Sequence, residues 1–258
     1  MKFLFFLIFG LSISAQSIKP NALLKRTEHA LKEIQTVTYI INQKTKSFSA
    51  KDTLYNSGIC SLYIMPNDKM GAYHILNMKQ LPSQVFSIIK YDCEYASQVL
   101  YKQDSLDAAR EVFLNNVNQN NNIGGIGYNL LLRDYFVKQN IFKQYRSLLA
   151  KFFLKKITVT EGEYLKTPVY ILTIYGKDKP SENRINSSVD TYYIRKSDYL
   201  PIAHSFYGEF EGMKETQLTE IDYLDINNQM NLESFKIDTS LKEMNPRKFF
   251  DELQKHNL

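Results

Sequence analysis

Apolar and polar side chains alternate along most of this chain, with the period of two that a half-buried β-strand shows. The alternation is clearest between residues 189 and 223, where a polar turn at 196–198 and a second turn between Gly208 and Gly212 separate three strand-like runs. Pro201 has no backbone N–H and therefore favours an edge or the first residues of its strand. We predict a three-stranded antiparallel meander here, and the rest of the chain has to fit around it.

Further runs rich in β-branched and aromatic residues predict additional strands, which are bounded by turn residues such as Pro66. The connections between them are too short to hold the crossover helices that parallel strands need, so the sheet should be antiparallel. The predicted strands cover residues 36–43, 54–65, 72–78, 84–91, 96–101, 156–163 and 167–175.

Apolar residues at helical spacing predict α-helices in three places. The first helix covers residues 22–35, with Asn21 as its N-cap and one apolar stripe suited to lying across a sheet. A helical insertion is predicted around residues 104–155, and a short helix should begin at Asn245-Pro246. The first part of the insertion is predicted from four residues that would share one helix face: Leu106, Ala109, Phe113 and Val117. Strands and helices together predict an α+β fold.

Residues 1–15 have the pattern of a secretory signal peptide, with Lys2, an apolar stretch and small residues up to Ala15. The apolar stretch is well short of the roughly 20 residues that cross a bilayer as a helix. Because no cysteine lies near the expected cleavage before Gln16, we expect a protein that carries no lipid anchor. The predicted location is periplasmic or secreted, in soluble form.

The two cysteines, Cys60 and Cys93, would then lie in an oxidising compartment. An even number of cysteines in such a protein is compatible with a disulfide between them. Two free thiols on separate strands fit the sequence equally well. Both alternatives stay open at this point.

Composition narrows the class of protein further. Hydrophobic residues make up 44% of the chain, which is enough for a core and argues against disorder. The net charge of +5 comes from basic residues that are interleaved with 27 acidic ones along the whole length. A protein that binds nucleic acid would gather its basic residues on one face. We therefore expect no nucleic-acid partner.

The sequence contains no pattern that would support catalysis. The four histidines, His204 among them, show no metal-ligand spacing, and a G-x-S-x-G nucleophile motif is missing. Cys60 and Cys93 do not form C-x-x-C, and the glycines at 124–127 lack the spacing of a phosphate-binding loop. Acidic pairs such as Glu161/Glu163 are typical of solvated turns. We therefore predict no catalytic residues, no metal and no cofactor.

The predicted elements follow one another in a characteristic order: a signal peptide, an N-terminal helix, strands, a central helical insertion and the pattern from Tyr192 to Gly208. With this order the chain resembles the outer-membrane lipoprotein carrier superfamily, LolA/LolB-like. It also resembles the related domains found ahead of thioredoxin-like modules. The resemblance implies one domain over residues 16–258. It also implies a strongly curved antiparallel sheet, an open or half β-barrel, whose concave face is covered by helices. Such a fold would enclose an apolar space for acyl chains or a hydrophobic partner.

On this basis we expect an exported carrier or binder of lipid or lipid-modified protein cargo in the cell envelope. The alternative is a non-enzymatic protein-interaction module that holds an envelope protein with an edge strand or with the curved face. The basic helix expected near residues 141–156 could make transient membrane contact or pack on the core. The residues expected to line a cavity, which alternation alone cannot distinguish from a solid core, are Leu62, Ile64, Leu149, Phe152, Val169, Ile171, Ile194, Ile202 and Phe206.

Overall fold

A computed structural model describes residues 18–68, 70–82, 85–102, 111–116, 130, 132–138, 141–147, 150–177 and 187–237. Its helices are α1 (Pro20–Lys32), α2 (Arg133–Phe136) and α3 (Ala150–Phe153), together with 3-10 turns at Gln144–Arg146 and Leu232–Phe235. The signal peptide predicted at residues 1–15, the glycines at 124–127 and the helix predicted after Asn245 lie outside these residues.

In the described part of the chain, eleven antiparallel strands form a single sheet. They are β1 (Thr36–Lys46), β2 (Leu54–Ile64), β3 (Ala72–Leu81), β4 (Val85–Tyr91), β5 (Tyr95–Lys102), β6 (Glu111–Asn116), β7 (Leu154–Tyr164), β8 (Thr167–Gly176), β9 (Ser187–Arg195), β10 (Pro201–Phe210) and β11 (Met213–Ile226). The meander predicted from alternation is confirmed as β9, β10 and β11, and Pro201 is the first residue of its strand.

The strand order is β6-β5-β4-β3-β2-β1-β11-β10-β9-β8-β7. The first and last of the described strands, β1 and β11, therefore pair at the middle of the sheet, with Ile41 opposite Ile221. Asn227 fixes this closure, since its side chain accepts a hydrogen bond from the backbone N–H of Gln35 at 2.7 Å and donates one to the carbonyl of Glu33 at 2.9 Å. The sheet remains open, with β6 and β7 as its outermost strands.

One face of the sheet carries the core. By the period of two, Tyr39 and Ile41 in β1 share a face, and the register aligns them with Cys60 in β2 and Ile221 in β11. These residues belong to one buried apolar cluster that also includes residues of α1, α2 and β9. We call this side of the sheet the core face.

Helix α1 begins two residues earlier than predicted, at Pro20. Pro20 occupies the first helical position, where its fixed φ and missing N–H cost nothing, and the N-cap Lys19 makes no side-chain cap. Asn21 lies inside the helix, so its predicted capping role is wrong. Leu23, Leu24 and Leu31 are buried in the same cluster as the core face. Helical spacing thus brings one apolar stripe into contact with the core.

The prediction of a helical insertion at 104–155 is wrong at residues 111–116, whereas α2, the 3-10 turn at Gln144–Arg146 and α3 are short helical segments within it. Residues 111–116 form β6, which pairs with β5 through contacts such as Phe113 opposite Gln98. Residues 150–153 form only one helical turn before β7 begins. Short apolar runs fit both periods, and here pairing with the edge of the sheet decides the outcome.

Candidate functional site

A cleft of about 400 Å³ lies where the start of α1, residues 145–147, Ala150 and the start of β7 meet. These elements converge because α1 and β7 both place apolar residues in or against the core cluster. Its lining consists of Pro20, Asn21, Leu24, Tyr145, Arg146, Ser147, Ala150, Leu154, Lys155, Lys156 and Ile157.

Apolar side chains form one side of the cleft. Leu24 is 2% exposed and Ala150 is 6% exposed. Leu154 and Ile157 are partly buried and pack against the core cluster. The cleft is therefore continuous with the apolar interior, and a hydrocarbon chain placed in it would leave water.

Three basic residues, Arg146, Lys155 and Lys156, also line the cleft, and we call this part its basic side. Lys155 and Lys156 are exposed, whereas Arg146 is half-buried. All three lie within the predicted basic helix, but Lys155 and Lys156 are in β7 and Arg146 is in a 3-10 turn. The sequence therefore predicted a group of basic residues correctly, but the secondary structure predicted for them was wrong.

Glu28 ties α1 to this basic side. Its carboxylate accepts hydrogen bonds from the Arg146 guanidinium and from the Lys32 ammonium, the latter at 2.9 Å. Burial alone would raise the pKa of Glu28, but the hydrogen bonds and charges of Lys32 and Arg146 outweigh burial and leave its pKa below the ordinary value. Glu28 is therefore ionised at neutral pH and holds the helix against the segment 144–146.

An aromatic and polar cluster lies behind the cleft. The hydroxyl groups of Tyr145 and Tyr192 are 3.1 Å apart, and the ring of Phe142 packs on Tyr192 with centroids 5.0 Å apart. The ring of His204 also stacks on the ring of Tyr192. His204 Nε2 lies 2.8 Å from Asp190 Oδ1, within hydrogen-bond distance. Burial, helped by Asp190, raises the pKa of Tyr145 to about 12, so its hydroxyl stays protonated.

A row of hydrogen-bonded polar side chains crosses the core face further along the strands. Asn56 donates to Gln43 at 3.3 Å, and Gln80 donates to Asn56 at 3.1 Å. On the other side, Gln43 and Gln217 both donate to the Thr219 hydroxyl, at 3.4 and 3.2 Å. The register places Thr219, Gln43, Asn56 and Gln80 opposite one another in neighbouring strands, and Gln217 lies two residues before Thr219 in β11. We call this set, from Gln217 to Gln80, the polar row.

Three residues expected to line a cavity lie in or against the core. Leu62 and Ile194 are 1% and 0% exposed members of the core cluster, and Ile64 packs against it partly buried. The central strands separate Leu62 from Ile194, and neither residue lines the cleft. The structure therefore brings these side chains into a packed interior.

Two residues of β8 that were expected to line a cavity lie on the face of the sheet opposite the core face. Val169 pairs with Arg195 and Ile171 with Tyr193, whereas Leu172, a member of the core cluster, pairs with Tyr192. Alternation was recognised correctly in β8, but the opposite set of residues was assigned to the interior. Val169 is nevertheless fully buried.

The remaining expected residues differ in placement. Ile202 sits at a register shift of β10, and Phe206 lies beside Gly208 near the ring of Phe48; both are half-buried. Phe152 is 76% exposed, which contradicts its expected place on a covering helix. Leu149 lies outside the described residues.

Both cysteines are free thiols, so the alternative of a disulfide is not realised. Cys60 is fully buried in β2, whereas Cys93 is half-buried in the turn between β4 and β5. Burial raises the pKa of Cys60 to about 12 and that of Cys93 to about 11. Neither thiol forms an appreciable thiolate at neutral pH.

Within the described ranges, no group of three or more His, Cys, Asp and Glu side chains could hold a metal ion. None of the described helices combines the length and the apolar character needed to cross a bilayer.

Comparison with known proteins gives matches to solved structures alone, since no family model and no curated protein sequence matches the chain. A LolA superfamily protein from Nitrosomonas europaea aligns over 86% of this chain and 99% of its own, at 9% identity and a TM-score of 0.32. LprF from Mycobacterium bovis aligns over 84% of this chain and 98% of its own, at 8% identity and a TM-score of 0.41.

MucB, in the complex structure of Pseudomonas aeruginosa MucA/MucB, aligns over 87% of this chain and 63% of its own, at 8% identity and a TM-score of 0.41. The superfamily that the sequence resembles is thus among the solved structures that the chain matches. Similarity at this level carries no argument about ligand or partner, which must come from the residues of this chain.

Proposed function

We propose that this protein binds a lipid or a lipid-modified chain in the cell envelope, with the acyl chain on the apolar side of the cleft and an anionic headgroup at its basic side. The observation that carries the proposal is the junction of Leu24, Ala150 and Ile157 with Arg146 and Lys156 in one cleft. An amphiphile with one negative charge matches both sides. A purely polar ligand would leave the apolar side unused.

The volume of the cleft and the free energy gained by burying an acyl chain both support such a ligand. Its volume of about 400 Å³ falls within the range of about 300–1,000 Å³ that small-molecule sites occupy. An acyl chain that buries ~14 methylenes gains roughly 11 kcal/mol at about 0.8 kcal/mol each. Association costs about 4–15 kcal/mol, so net binding depends on how much of the space is preformed.

We further propose that the sheet curves around the core face and that α1 and the segment 141–153 cover it as movable elements. When they separate, a longer chain would extend from the cleft along Leu62, Ile64 and Ile194. Near the cleft, the Glu28–Arg146 pair joins the two covering elements to each other, and the Tyr145–Tyr192 contact joins the cover to the sheet. Polar ties of this kind can be exchanged with water more readily than an apolar interface.

The test is a titration with a fluorescent fatty acid and, in parallel, with its uncharged methyl ester. Lys156→Glu should weaken binding of the acid about tenfold, because an attractive contact becomes repulsive, and should affect the ester little. Ala150→Leu should weaken binding of both by filling the apolar side. Lys214→Glu and Ala50→Leu make the same changes at exposed positions away from the cleft and should leave both affinities unchanged.

Failure of both ligands to bind the unaltered protein would contradict the proposal. The alternative function, a module that holds an envelope protein, predicts a different result. Cross-linking in intact envelopes would then capture one protein partner in stoichiometric amount, and the purified protein would carry no lipid.

A further inference from the structure

Strand β7 lies at one edge of the sheet, and among the described strands it forms backbone hydrogen bonds with β8 alone. It runs for eleven residues, from Leu154 to Tyr164. The irregularity in its pairing lies at Lys155, which has no partner in the register with β8, and the pairing is regular from Lys156 to Tyr164. An edge strand of this length presents a row of backbone N–H and C=O groups that can pair with another strand.

One pair of charges on β7 is placed in a self-complementary way. Lys155 and Lys156 stand at its start, and Glu161 and Glu163 stand near its end. Val159 is the midpoint between Lys155 and Glu163, and it is flanked by two threonines, Thr158 and Thr160. Reversing the direction of the strand about Val159 exchanges Lys155 with Glu163, whereas Lys156 exchanges with Gly162 and Glu161 with Ile157.

We infer that two copies of this chain pair through β7, antiparallel, around a two-fold axis at Val159. An axis perpendicular to the sheet keeps residues of one face opposite residues of the same face. Lys155 then faces Glu163 of the partner subunit, Thr158 faces Thr160 of the partner subunit, and Val159 faces its own copy. Opposite charges, Thr–Thr pairs and β-branched pairs are all favourable across antiparallel strands.

Other arrangements of the same edge fit less well. Parallel pairing of two copies would put the lysines beside lysines and the glutamates beside glutamates, which is repulsive. Glu161 already bonds Lys196 within the chain, whereas Glu163 is exposed. On the opposite face, Lys156 would meet Gly162 of the partner subunit, which offers no competing side chain.

The pairing would also bring Glu163 of the partner subunit to the basic side of the cleft, which Lys155 lines. The inference does not rest on lipid binding, since it follows from the edge and its charges. Dimerisation and ligand uptake can therefore be measured, and can fail, separately.

Sedimentation of the purified protein over a range of concentrations tests the pairing. We expect a monomer–dimer equilibrium that weakens with added salt. Glu163→Lys and Lys155→Glu should each weaken the dimer about tenfold or more, because both symmetric contacts become repulsive. The double exchange, Lys155→Glu with Glu163→Lys, should restore it. A monomer at every concentration up to the millimolar range, or a dimer indifferent to both single changes, would overturn the inference.

Cysteine trapping tests the register directly. In a Cys93→Ser background, Val159→Cys should form an intermolecular disulfide under mild oxidation, because the two copies of residue 159 lie opposite each other. Thr158→Cys is the matched control, since its two copies would be about 8 Å apart and out of reach. Equal trapping at 158 and 159, or none at 159 in a variant that keeps the wild-type circular dichroism spectrum, would refute this register.

Discussion

The core face of the sheet has two regions with different chemistry. Near α1 and α2 its strands carry apolar side chains such as Leu76, Tyr39 and Ile41, which join the central cluster. Further along the same strands, the polar row runs from Gln217 to Gln80 and its members bond each other across the strands. The two regions share strands, register and face, so the sheet itself does not distinguish them. The difference teaches that, among the described strands, the side chains at each end decide whether this face is apolar or polar.

The largest expected effect lies in the apolar region. Leu62→Ala should lower the free energy of unfolding by about 2–5 kcal/mol, because Leu62 is fully packed in the cluster. Urea denaturation measures it, with Leu218→Ala in β11, half-buried on the other face, as the milder control. A cost below about 1 kcal/mol would mean that Leu62 borders an empty space rather than a packed core.

Within the polar row, replacing the middle residue should lower the free energy of unfolding more than replacing the end residue. Asn56→Leu removes the partner of both Gln43 and Gln80 and should cost about 1–3 kcal/mol, since buried amide groups lose hydrogen bonds. Gln217→Leu removes one bond at the end of the row and should cost less. Equal costs at both positions, measured by urea denaturation, would show that the row does not act as a connected set.

The tie between α1 and the cleft should depend on pH. Glu28→Gln should cost about 1–2 kcal/mol at neutral pH, because charge-assisted hydrogen bonds to Arg146 and Lys32 become neutral ones. The folded-state pKa of Glu28 lies below its ordinary value of 4.5, so the carboxylate stabilises the fold fully above that value.

This stabilisation is lost as the pH falls through the lowered pKa. The difference in stability between the natural protein and Glu28→Gln should therefore shrink in acid, while the other carboxyl groups titrate alike in both. A difference that stays constant from neutral to strongly acidic pH would show that Glu28 acts by packing alone.

The smallest effect is expected at Phe152. Because this side chain is 76% exposed, Phe152→Ala should change the free energy of unfolding by less than about 0.5 kcal/mol. The thermal midpoint of the variant provides the check. A loss comparable with that of Leu62→Ala would place Phe152 in the interior, where the sequence predicted it.

Strand prediction succeeded where alternation continued over many residues, as in β8 and in the meander of β9 to β11. It failed at β6, because Phe113 and its neighbours fit helical and strand spacing equally, and only pairing with β5 decides between them. The face of a strand was harder still to predict. In β8 both alternating sets are apolar, so the sequence gives no preference between Ile171 and Leu172, and the register with Tyr192 selects Leu172.

The cleft could be predicted only in part. The basic residues near its rim were recognised as a group. The approach of α1 to β7, which places Pro20 and Ile157 around one cleft, is set by the tertiary packing of distant segments. The polar row was not predicted, although Gln43 and Asn56 are visible in the sequence. Each is an isolated polar residue in a strand, and only the register shows that they are neighbours.

Native mass spectrometry of the protein purified from its own cell envelope tests the central claim most directly. The account predicts one acyl-bearing, negatively charged molecule per chain, and its retention should fall in Ala150→Leu but not in Ala50→Leu. Repeated recovery of the bare chain, with no uptake when an acyl ligand is added, would contradict it.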